Sequence, residues 1–380
     1  MPYAAALSAH PVPSQAVGEV VGQLLDTIGV EPDLIVLFAS TSHTGAMDDI
    51  VRAIAELLRP RVFVGCTAST VVCGDRELED APALSLWAAR GILASAHRLD
   101  AQARDGGIAI SGFPHASDLL DEAKAILVLA DPFSFPVEHL LEGLREQSRV
   151  ALPVIGGLAS AGRAPGGNRL VLDGGVLSSG AVAVLLGGAG VETVVSQGCR
   201  PIGEPMIVTR SEGNLVHELA GRPALDRVQD VLRSLTPDEI ELARNGLHLG
   251  RVVDESKVTF DRGDFVVRNV LGADPRVGAV AVGDEVQVGS TVQLQVRDAS
   301  TADEDLRALL RGRHASGALV FTCNGRGTNL FGTPDHDATV ITDALAGAPL
   351  AGMSCAGEIG PIGNRSFVHG FTASVALFRD

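Results

Sequence analysis

The stretch LIVLFASTSHTGAMDDIVRAIAELLRPRVFVGCTA, residues 34–68, contains two apolar runs with a helical pattern between them. Leu34–Phe38 predicts a buried strand, and the apolar residues of Asp48–Leu58 recur at the spacing of a helix packed on one face. Pro60 ends that helix, and Arg61–Val64 begins a second strand. The stretch therefore predicts a strand–helix–strand unit of an α/β protein.

The same pattern occurs twice more along the chain, and each copy ends in a turn of glycine and other small residues. Thirty positions separate Ile35 from Gly65, and thirty separate Ile126 from Gly156, which favours an internal duplication. Chance is the alternative, because every α/β protein contains such units. The predicted elements are Ala125–Leu129, Pro136–Gln147, Leu152–Ile155 and Ala181–Leu186 in the second copy, and Ala318–Phe321, Asp337–Ala346, Pro349–Ala351 and Phe371–Phe378 in the third.

The middle of the chain has a different pattern. Val252–Val270 and Thr291–Val296 alternate β-branched and polar residues, which is typical of antiparallel strands, and a broken helical pattern covers Leu215–Leu235. The whole sequence predicts an α/β fold of layered mixed and parallel sheets. Within it we expect three pseudo-repeated β-α-β-turn-β units and an antiparallel β insertion in the middle. We also expect two domains, residues 1–215 and 216–380.

The composition excludes some classes of partner. Lys and Arg number 30 against 46 Asp and Glu, which gives a formal charge of −16, so electrostatic repulsion makes nucleic acid an unlikely ligand. No apolar run reaches the roughly 18–20 residues of a membrane-spanning helix. The five widely spaced cysteines predict neither disulfides nor a zinc site and fit a reducing compartment. We therefore expect a cytoplasmic protein without a nucleic-acid or membrane partner.

The common cofactor-binding signatures are missing from the sequence. Neither of the two lysines follows a glycine, so the phosphate-binding loop GxxxxGK[ST] is absent. Gly325–Leu330 begins like a dinucleotide-binding loop but lacks the third glycine. The ten histidines include no HxxxH or HExxH pair, and His336-Asp337 indicates the solvated start of a helix. We expect neither a metal nor another cofactor.

Unusual residues follow both predicted strands of the third copy. Because ligands bind outside the carboxyl ends of parallel strands, these two segments are the candidate ligand site. Arg326 offers a forked donor for a carboxylate, and Glu358 can accept from an ammonium, which suits a small zwitterion such as an amino acid. An Arg326–Glu358 salt bridge between the loops is the alternative. The predicted ligand-binding residues are Cys323, Asn324, Gly325, Arg326, Gly327, Ser354, Cys355, Gly357 and Glu358.

A catalytic interpretation of the same residues stays open. Gly352–Ala356 resembles the GxSxG turn that carries a nucleophile, although the last glycine is displaced by one position. Ser354 or Cys355 would then attack a substrate, with His369 as base and Glu358 to orient it, as in a hydrolase or transferase. The small residues of the turn have a simpler explanation in close packing. With no recognisable catalytic motif, we expect a protein that is not an enzyme, and a scaffold without a small ligand is a further alternative.

From about residue 30 to the C-terminus, the chain resembles the FIST family, which is built from FIST N and FIST C parts. We take residues 1–215 as the FIST N-like domain and residues 216–380 as the FIST C-like domain. The resemblance rests on an ordered set of motifs. They are Val64–Ala68, Glu77 and Glu79 before Pro82, Gly156-Gly157, Ser196–Pro205, Cys323–Gly327 and Gly352–Pro361.

The resemblance implies a sensory role in signal transduction, in which the module binds a small ligand, amino acids among the candidates. Members of the family are often fused to receptor or kinase-type output domains, and we expect no such domain within these 380 residues. A separate signalling protein is therefore the expected partner. The family brings no established catalytic residue.

Overall fold

The computed structural model describes residues 2–104, 107–113, 123–147 and 152–379. The chain divides into two compact units, and each is assembled from segments that are not contiguous in the sequence. The first unit contains residues 1–195, 306–368 and 372–380, and the second contains residues 196–305 and 369–371. The boundary predicted between residues 215 and 216 lies inside the second unit and, as a boundary between family domains, stays a prediction.

The elements are numbered here in chain order. The helices are α1 (Pro13–Thr27), α2 (Met47–Leu58), α3 (Val137–Gln147), α4 (Ala224–Ser234), α5 (Pro237–Arg244), α6 (Ala299–Leu310), α7 (Thr328–Phe331) and α8 (His336–Ala344), with 3₁₀ turns at Thr41–Ala46 and Arg262–Asp264. The first strands are β1 (Tyr3–Ser8), β2 (Leu34–Ser40), β3 (Val62–Ala68), β4 (Thr70–Cys73), β5 (Arg76–Glu79), β6 (Leu84–Ala89), β7 (Leu93–Arg104), β8 (Gly107–Ser111), β9 (Ala123–Ala130), β10 (Val154–Leu158), β11 (Leu170–Leu172), β12 (Gly175–Leu177) and β13 (Ala181–Gly187). The others are β14 (Gly190–Gln197), β15 (Cys199–Glu212), β16 (Leu215–Leu219), β17 (Arg222–Pro223), β18 (Leu247–Val252), β19 (Phe265–Asp274), β20 (Ala279–Val282), β21 (Thr291–Arg297), β22 (Gly317–Cys323), β23 (Leu350–Cys355), β24 (Glu358–Ile362), β25 (Arg365–His369) and β26 (Thr372–Arg379).

Three mixed sheets are built in the main from the first unit. Their strand orders are β1-β6-β2-β3-β11-β12, β25-β24-β10-β9-β13-β7-β8 and β14-β26-β22-β23-β4-β5. Each sheet contains one parallel pair, β2/β3, β9/β10 or β22/β23, and an antiparallel strand, β6, β13 or β26, lies beside the pair. The mixed α/β class is therefore confirmed, with more strand than helix, whereas internal duplication stays a prediction.

The three parallel pairs share a close approach between a glycine and the neighbouring strand. A Cβ atom on Gly65 would lie 2.3 Å from the Leu37 carbonyl oxygen, and one on Gly352 would lie 2.0 Å from that of Val320. The corresponding distance from Gly156 to the Val128 oxygen is 1.9 Å. In each case the two residues are register partners. A side chain at these positions would force two strands apart, so the glycines have a steric explanation.

The sheets of the first unit bury a shared apolar core. Phe38 and Phe321, from two different sheets, meet edge to face with ring centroids 6.0 Å apart. Trp87 is fully buried, and the centroid of its ring lies 4.7 Å from that of Phe378. Its indole N–H donates to the Pro349 carbonyl oxygen at 3.2 Å. This core accounts for the continuous apolar runs that identified the strands in the sequence.

The second unit is antiparallel, which confirms the predicted antiparallel insertion. Its strand order is β15-β21-β18-β19-β20-β16-β17, and β15 also pairs with β16, so the sheet curls into a half-barrel. The helix predicted over Leu215–Leu235 is wrong at its start, because Leu215–Leu219 pairs as a strand and the helix begins only after Pro223. Across the described part of the chain, no helix has the length and apolar character needed to cross a membrane.

The glycine contact gives a test of the fold. Replacing Gly65 by alanine should lower the free energy of unfolding by about 1–3 kcal/mol, because the new methyl group overlaps the neighbouring strand. Gly18 is the matched control, since it lies in α1 with nothing within 4 Å of its added Cβ. Gly18→Ala should instead stabilise the protein by about 0.5–1 kcal/mol. Equal effects of the two substitutions in urea unfolding would contradict the packing described.

Candidate functional site

The two segments that the sequence analysis singled out lie side by side in the structure. β22 and β23 run parallel with Cys323 opposite Cys355, so both strands end at the same edge of the sheet. The Asn324 N–H donates to the Cys355 carbonyl oxygen at 3.1 Å, which joins the two loops. At this edge Asn324 is exposed, while Cys323, Ser354, Cys355, Gly357 and Glu358 are buried. The grouping of the predicted site residues is thus local and compact.

Arg326 is the central charged group of this edge, and its side chain is fully buried. Its Nε donates to Asp337 Oδ2 at 2.6 Å and its Nη2 to Asp337 Oδ1 at 2.8 Å. The guanidinium fork is therefore occupied by Asp337, and the alternative of a salt bridge with Glu358 is wrong. The interpretation of His336-Asp337 as a solvated helix start is also wrong, because Asp337 is 1% exposed.

Asp337 is held as a carboxylate by all of its neighbours. Thr322 Oγ1 donates to it at 2.8 Å, and His336 Nδ1 lies 3.0 Å from its other oxygen. Burial disfavours the charge, but Arg326 and these hydrogen bonds outweigh it and hold the pKa of Asp337 well below its usual range. The pair connects the end of β22 to the first turn of α8.

Glu358 is buried in a different environment, against Thr372. Its Oε2 accepts the Thr372 N–H and the Thr372 hydroxyl, both at 3.0 Å. Burial raises the pKa of Glu358 to about 8, although these hydrogen bonds, Cys323 and the charge of Arg326 act in the opposite direction. Near neutral pH the carboxyl is therefore protonated for most of the time.

Two buried polar atoms of this site have no hydrogen-bond partner among the described residues. They are Nη1 of Arg326 and Oε1 of Glu358. The two side chains interact electrostatically with each other, and Cys323 interacts with both. A buried donor or acceptor without a partner costs about 1–3 kcal/mol. A polar group placed against these two atoms would therefore be stabilised.

Two glutamates of β5 complete the surroundings of Asp337 and of the loop after β22. Glu77 Oε1 accepts the Ala338 N–H of α8 at 2.8 Å, and burial, followed by the charge of Asp337, raises the pKa of Glu77 to about 7. Glu79 Oε1 accepts the Thr328 N–H at 2.9 Å. The name charge cluster is used below for four buried charged residues, Glu77, Arg326, Asp337 and Glu358. From the sequence, Glu77 and Glu79 contribute only to the family resemblance. Their alternation with Leu78 on a strand is the signal that places both on one face.

The segment from Gly327 to Asp335, called the cover below, lies over Arg326. The Phe331 ring is 5.2 Å from the guanidinium carbon of Arg326 and stacks on His336 with centroids 3.4 Å apart. Gly327 has a φ of +59°, and a Cβ there would lie 2.5 Å from Glu79 Oε1, so only glycine fits. The cover separates the charged side chain from water.

The proposed nucleophiles are enclosed in the core. Cys355 is fully buried, and a Cβ on Gly157 would lie 2.2 Å from its sulfur. Burial, with the nearby Glu358 and two other cysteines, raises the pKa of the Cys355 thiol well above its usual value. A cysteine that attacks a substrate from solution needs an accessible thiolate, so these surroundings count against Cys355 as a catalytic nucleophile. Ser354 is 6% exposed, and His369 belongs to the second unit.

Two cavities lie in other parts of the described chain, and neither is lined by residues of the charge cluster. One, of about 340 Å³, is lined by residues that include Ala101 and Phe133, and the other, of about 270 Å³, by residues that include Tyr3 and Cys73. Neither brings together charged side chains. Within the described ranges, no group of three or more His, Cys, Asp or Glu side chains is arranged to hold a metal ion. We therefore place the candidate site at the charge cluster, because its buried charged groups and unpaired polar atoms could bind a ligand.

Comparison with known proteins finds two family models along the chain. The FIST N domain matches residues 33–222, and the FIST C domain matches residues 224–361. Uncharacterized protein Mb0898c of Mycobacterium bovis is 46% identical over 381 residues, which cover 97% of each chain. Uncharacterized protein MT0656 of Mycobacterium tuberculosis is 46% identical over 361 residues, which cover 93% of this chain and 92% of the relative. These matches extend over nearly all of the sequence.

The buried ion pair gives the first prediction for the site. Arg326→Ala should lower the free energy of unfolding by about 3–5 kcal/mol, because it leaves the Asp337 carboxylate buried without its partner. Arg276→Ala is the control, since Arg276 also pairs with an aspartate, Asp274, but is 88% exposed. That change should have a much smaller effect in urea unfolding, because water and salt screen the exposed pair. A loss at Arg326 no greater than at Arg276 would show that the buried pair is not formed.

The raised pKa of Glu358 gives the second prediction for the site. The folded protein holds a proton on this group that the unfolded chain releases near pH 4.5, so its contribution to stability is lost as the pH rises from about 4.5 to 8. Glu358→Gln keeps an acceptor for Thr372 and cannot ionise. The melting temperature of the variant, relative to that of the wild type, should therefore rise between pH 5 and pH 8.5. Glu142→Gln, at an exposed position of α3, is the matched control for the loss of one carboxyl group. Parallel pH profiles for Glu358→Gln and wild type would refute the assignment.

Proposed function

The chain belongs to the FIST family, and on that premise we propose that it is a sensory protein that binds a small zwitterionic ligand without catalysis. The proposed site is the charge cluster with the loops that follow β22 and β23. A ligand bound there, an amino acid being the simplest, would contact Arg326 and Glu358. The signal would pass to a separate protein.

The observation that supports this proposal most is the pair of buried polar atoms without partners, Arg326 Nη1 and Glu358 Oε1. They lie in the segments that the sequence alone marked for ligand binding. A folded protein rarely leaves such groups unpaired, because each costs about 1–3 kcal/mol. A ligand that supplies one group to each atom removes both costs at once.

The chemistry of the two groups limits what the ligand can be. Asp337 occupies two nitrogens of Arg326, so the ligand receives a hydrogen bond from Nη1 alone and not from the full fork. A carboxylate oxygen suits that donor. An ammonium group beside Glu358 would favour its ionised form, and binding would then release a proton from a carboxyl whose pKa is about 8.

Access to the cluster requires the cover to move. Arg326 and Glu358 are both essentially unexposed, and Phe331 lies over the guanidinium. The cover is tied down by Glu79, which accepts from the N–H and the hydroxyl of Thr328 at 2.9 and 3.0 Å. At its other end, Asp335 accepts the Glu77 N–H at 2.6 Å and pairs with Arg76 at 3.3 Å. Opening of the cover must break these contacts. A ligand that closes the cover would change the surface that a partner meets.

The cytoplasmic location that we propose agrees with the state of the cysteines. None of the five is in a disulfide among the described residues, as in a reducing compartment. For the alternative of a thiol- or serine-dependent enzyme, the enclosed Cys355 gives no support. The proposal therefore keeps a non-catalytic role as its first choice.

A thermal-shift screen against amino acids and related zwitterions tests the proposal. A ligand at 100 times its dissociation constant should stabilise the wild type by about 2.7 kcal/mol. Glu358→Gln should lose that shift, because the amide cannot balance an ammonium. Ser374→Ala is the control, since Ser374 is buried nearby and donates to the Ile359 carbonyl oxygen without lining the proposed site. The absence of any shift, or an equal shift in Glu358→Gln, would contradict the proposal.

A further inference from the structure

Cys323 and Cys355 form a pair of thiols at the ends of β22 and β23. They are register partners in neighbouring parallel strands, and both side chains therefore point to the same face of the sheet. Neighbouring strands are about 4.8 Å apart, and a disulfide needs Cα atoms about 4.4–6.8 Å apart. The backbone thus brings the two residues within the range of a disulfide.

The two sulfurs differ in their surroundings. Cys323 is the last residue of its strand, next to the exposed Asn324, and its sulfur accepts the Gly325 N–H at 3.4 Å. It also interacts electrostatically with the Arg326 guanidinium. The backbone donor and the cation stabilise a thiolate, which is the nucleophilic form of cysteine. The Cys323 side chain also hydrogen-bonds to the Glu358 carboxyl, which opposes a thiolate when it is ionised. Cys355 lies on the neighbouring central strand and is enclosed.

The other three cysteines are also buried. The Cys66 sulfur contacts the Met353 sulfur at 3.1 Å in the core, and burial raises the pKa of its thiol above its usual value. Burial raises the pKa of Cys73 to about 12, although a hydrogen bond with Ser85 acts in the opposite direction. Cys199 is 1% exposed, whereas Cys323 is 8% exposed and interacts with the Arg326 guanidinium. We therefore expect Cys323 to react first.

From this geometry we infer that Cys323 is an oxidisable thiol that reacts with hydroperoxides and then forms a disulfide with Cys355. In the first step the Cys323 thiolate attacks one peroxide oxygen, the S–O bond forms, the O–O bond breaks, and hydroxide leaves. In the second step the Cys355 sulfur displaces the hydroxyl from the sulfenic acid. Its proton and the hydroxide form water. The sum is two thiols and one hydrogen peroxide giving one disulfide and two waters.

This inference does not depend on ligand binding. It needs only the pairing of β22 with β23 and the surroundings of one sulfur. If the proposed function is also correct, the disulfide would form beside Arg326 and Glu358, and oxidation would alter the ligand site. The two ideas can fail separately, because one is tested by peroxide and the other by zwitterions.

The full chain treated with hydrogen peroxide, alkylated and digested with trypsin tests the inference. Cleavage after Arg313, Arg326 and Arg365 places Cys323 in residues 314–326 and Cys355 in residues 327–365, one cysteine to each peptide. The expected product is a cross-link of these two peptides that dithiothreitol reverses. In the untreated native protein, Cys323 should also be alkylated about tenfold faster than the other cysteines.

Two variants separate the steps. Cys355→Ser should stop the reaction at a sulfenic acid on Cys323, which dimedone traps, and Cys323→Ser should leave the other cysteines unmodified. Cys73→Ser is the matched control and should cross-link like the wild type. The inference is overturned if the wild-type Cys323 reacts no faster than Cys66, Cys73 and Cys199, or if the disulfide joins a different pair. The rate comparison needs no variant, so a failure of Cys323→Ser to fold leaves the test intact.

Discussion

The buried ion pair between Arg326 and Asp337 is the constraint on which the site depends. Two charges removed from water are tolerated only when they face each other with their remaining donors and acceptors satisfied. Asp337 meets this condition through Thr322 and His336, and Arg326 meets it through two of its three nitrogens. The pair therefore fixes the loop after β22 against the start of α8. It also determines which nitrogen of Arg326 is left for anything else.

The remaining acids of the charge cluster follow from the same constraint. One guanidinium is buried with three carboxyls, and it forms an ion pair with Asp337 alone among them. Glu77 and Glu358 respond through pKa values raised to about 7 and 8, since burial penalises their charged forms. The cluster thus holds two groups that titrate near neutral pH. A site of this kind can exchange a proton when a charged ligand arrives.

The sequence alone predicts the parallel strand pairs and the loops of the site, but it does not predict the partner of Arg326 or the strand at Leu215–Leu219. The continuous apolar runs and the glycine turns located the parallel pairs, because buried strands and close backbone contacts leave strong signals. The FIST resemblance and the segments around Arg326 and Glu358 were found in the same way. The partner of Arg326 was not, since Asp337 lies 11 residues further on at a helix start, where an acid is ordinary on an exposed surface. Leu215–Leu219 was assigned to a helix because a short apolar pattern cannot separate strand from helix without its neighbours.

The central claim is that Arg326 Nη1 and Glu358 Oε1 are completed by a ligand. A crystal structure of the protein with a zwitterion from the thermal-shift panel tests it most directly. The account predicts a ligand oxygen within about 3.2 Å of Arg326 Nη1 and the ligand's ammonium group beside Glu358 Oε1. A ligand bound elsewhere, or ordered water completing both atoms in place of a ligand, would contradict it.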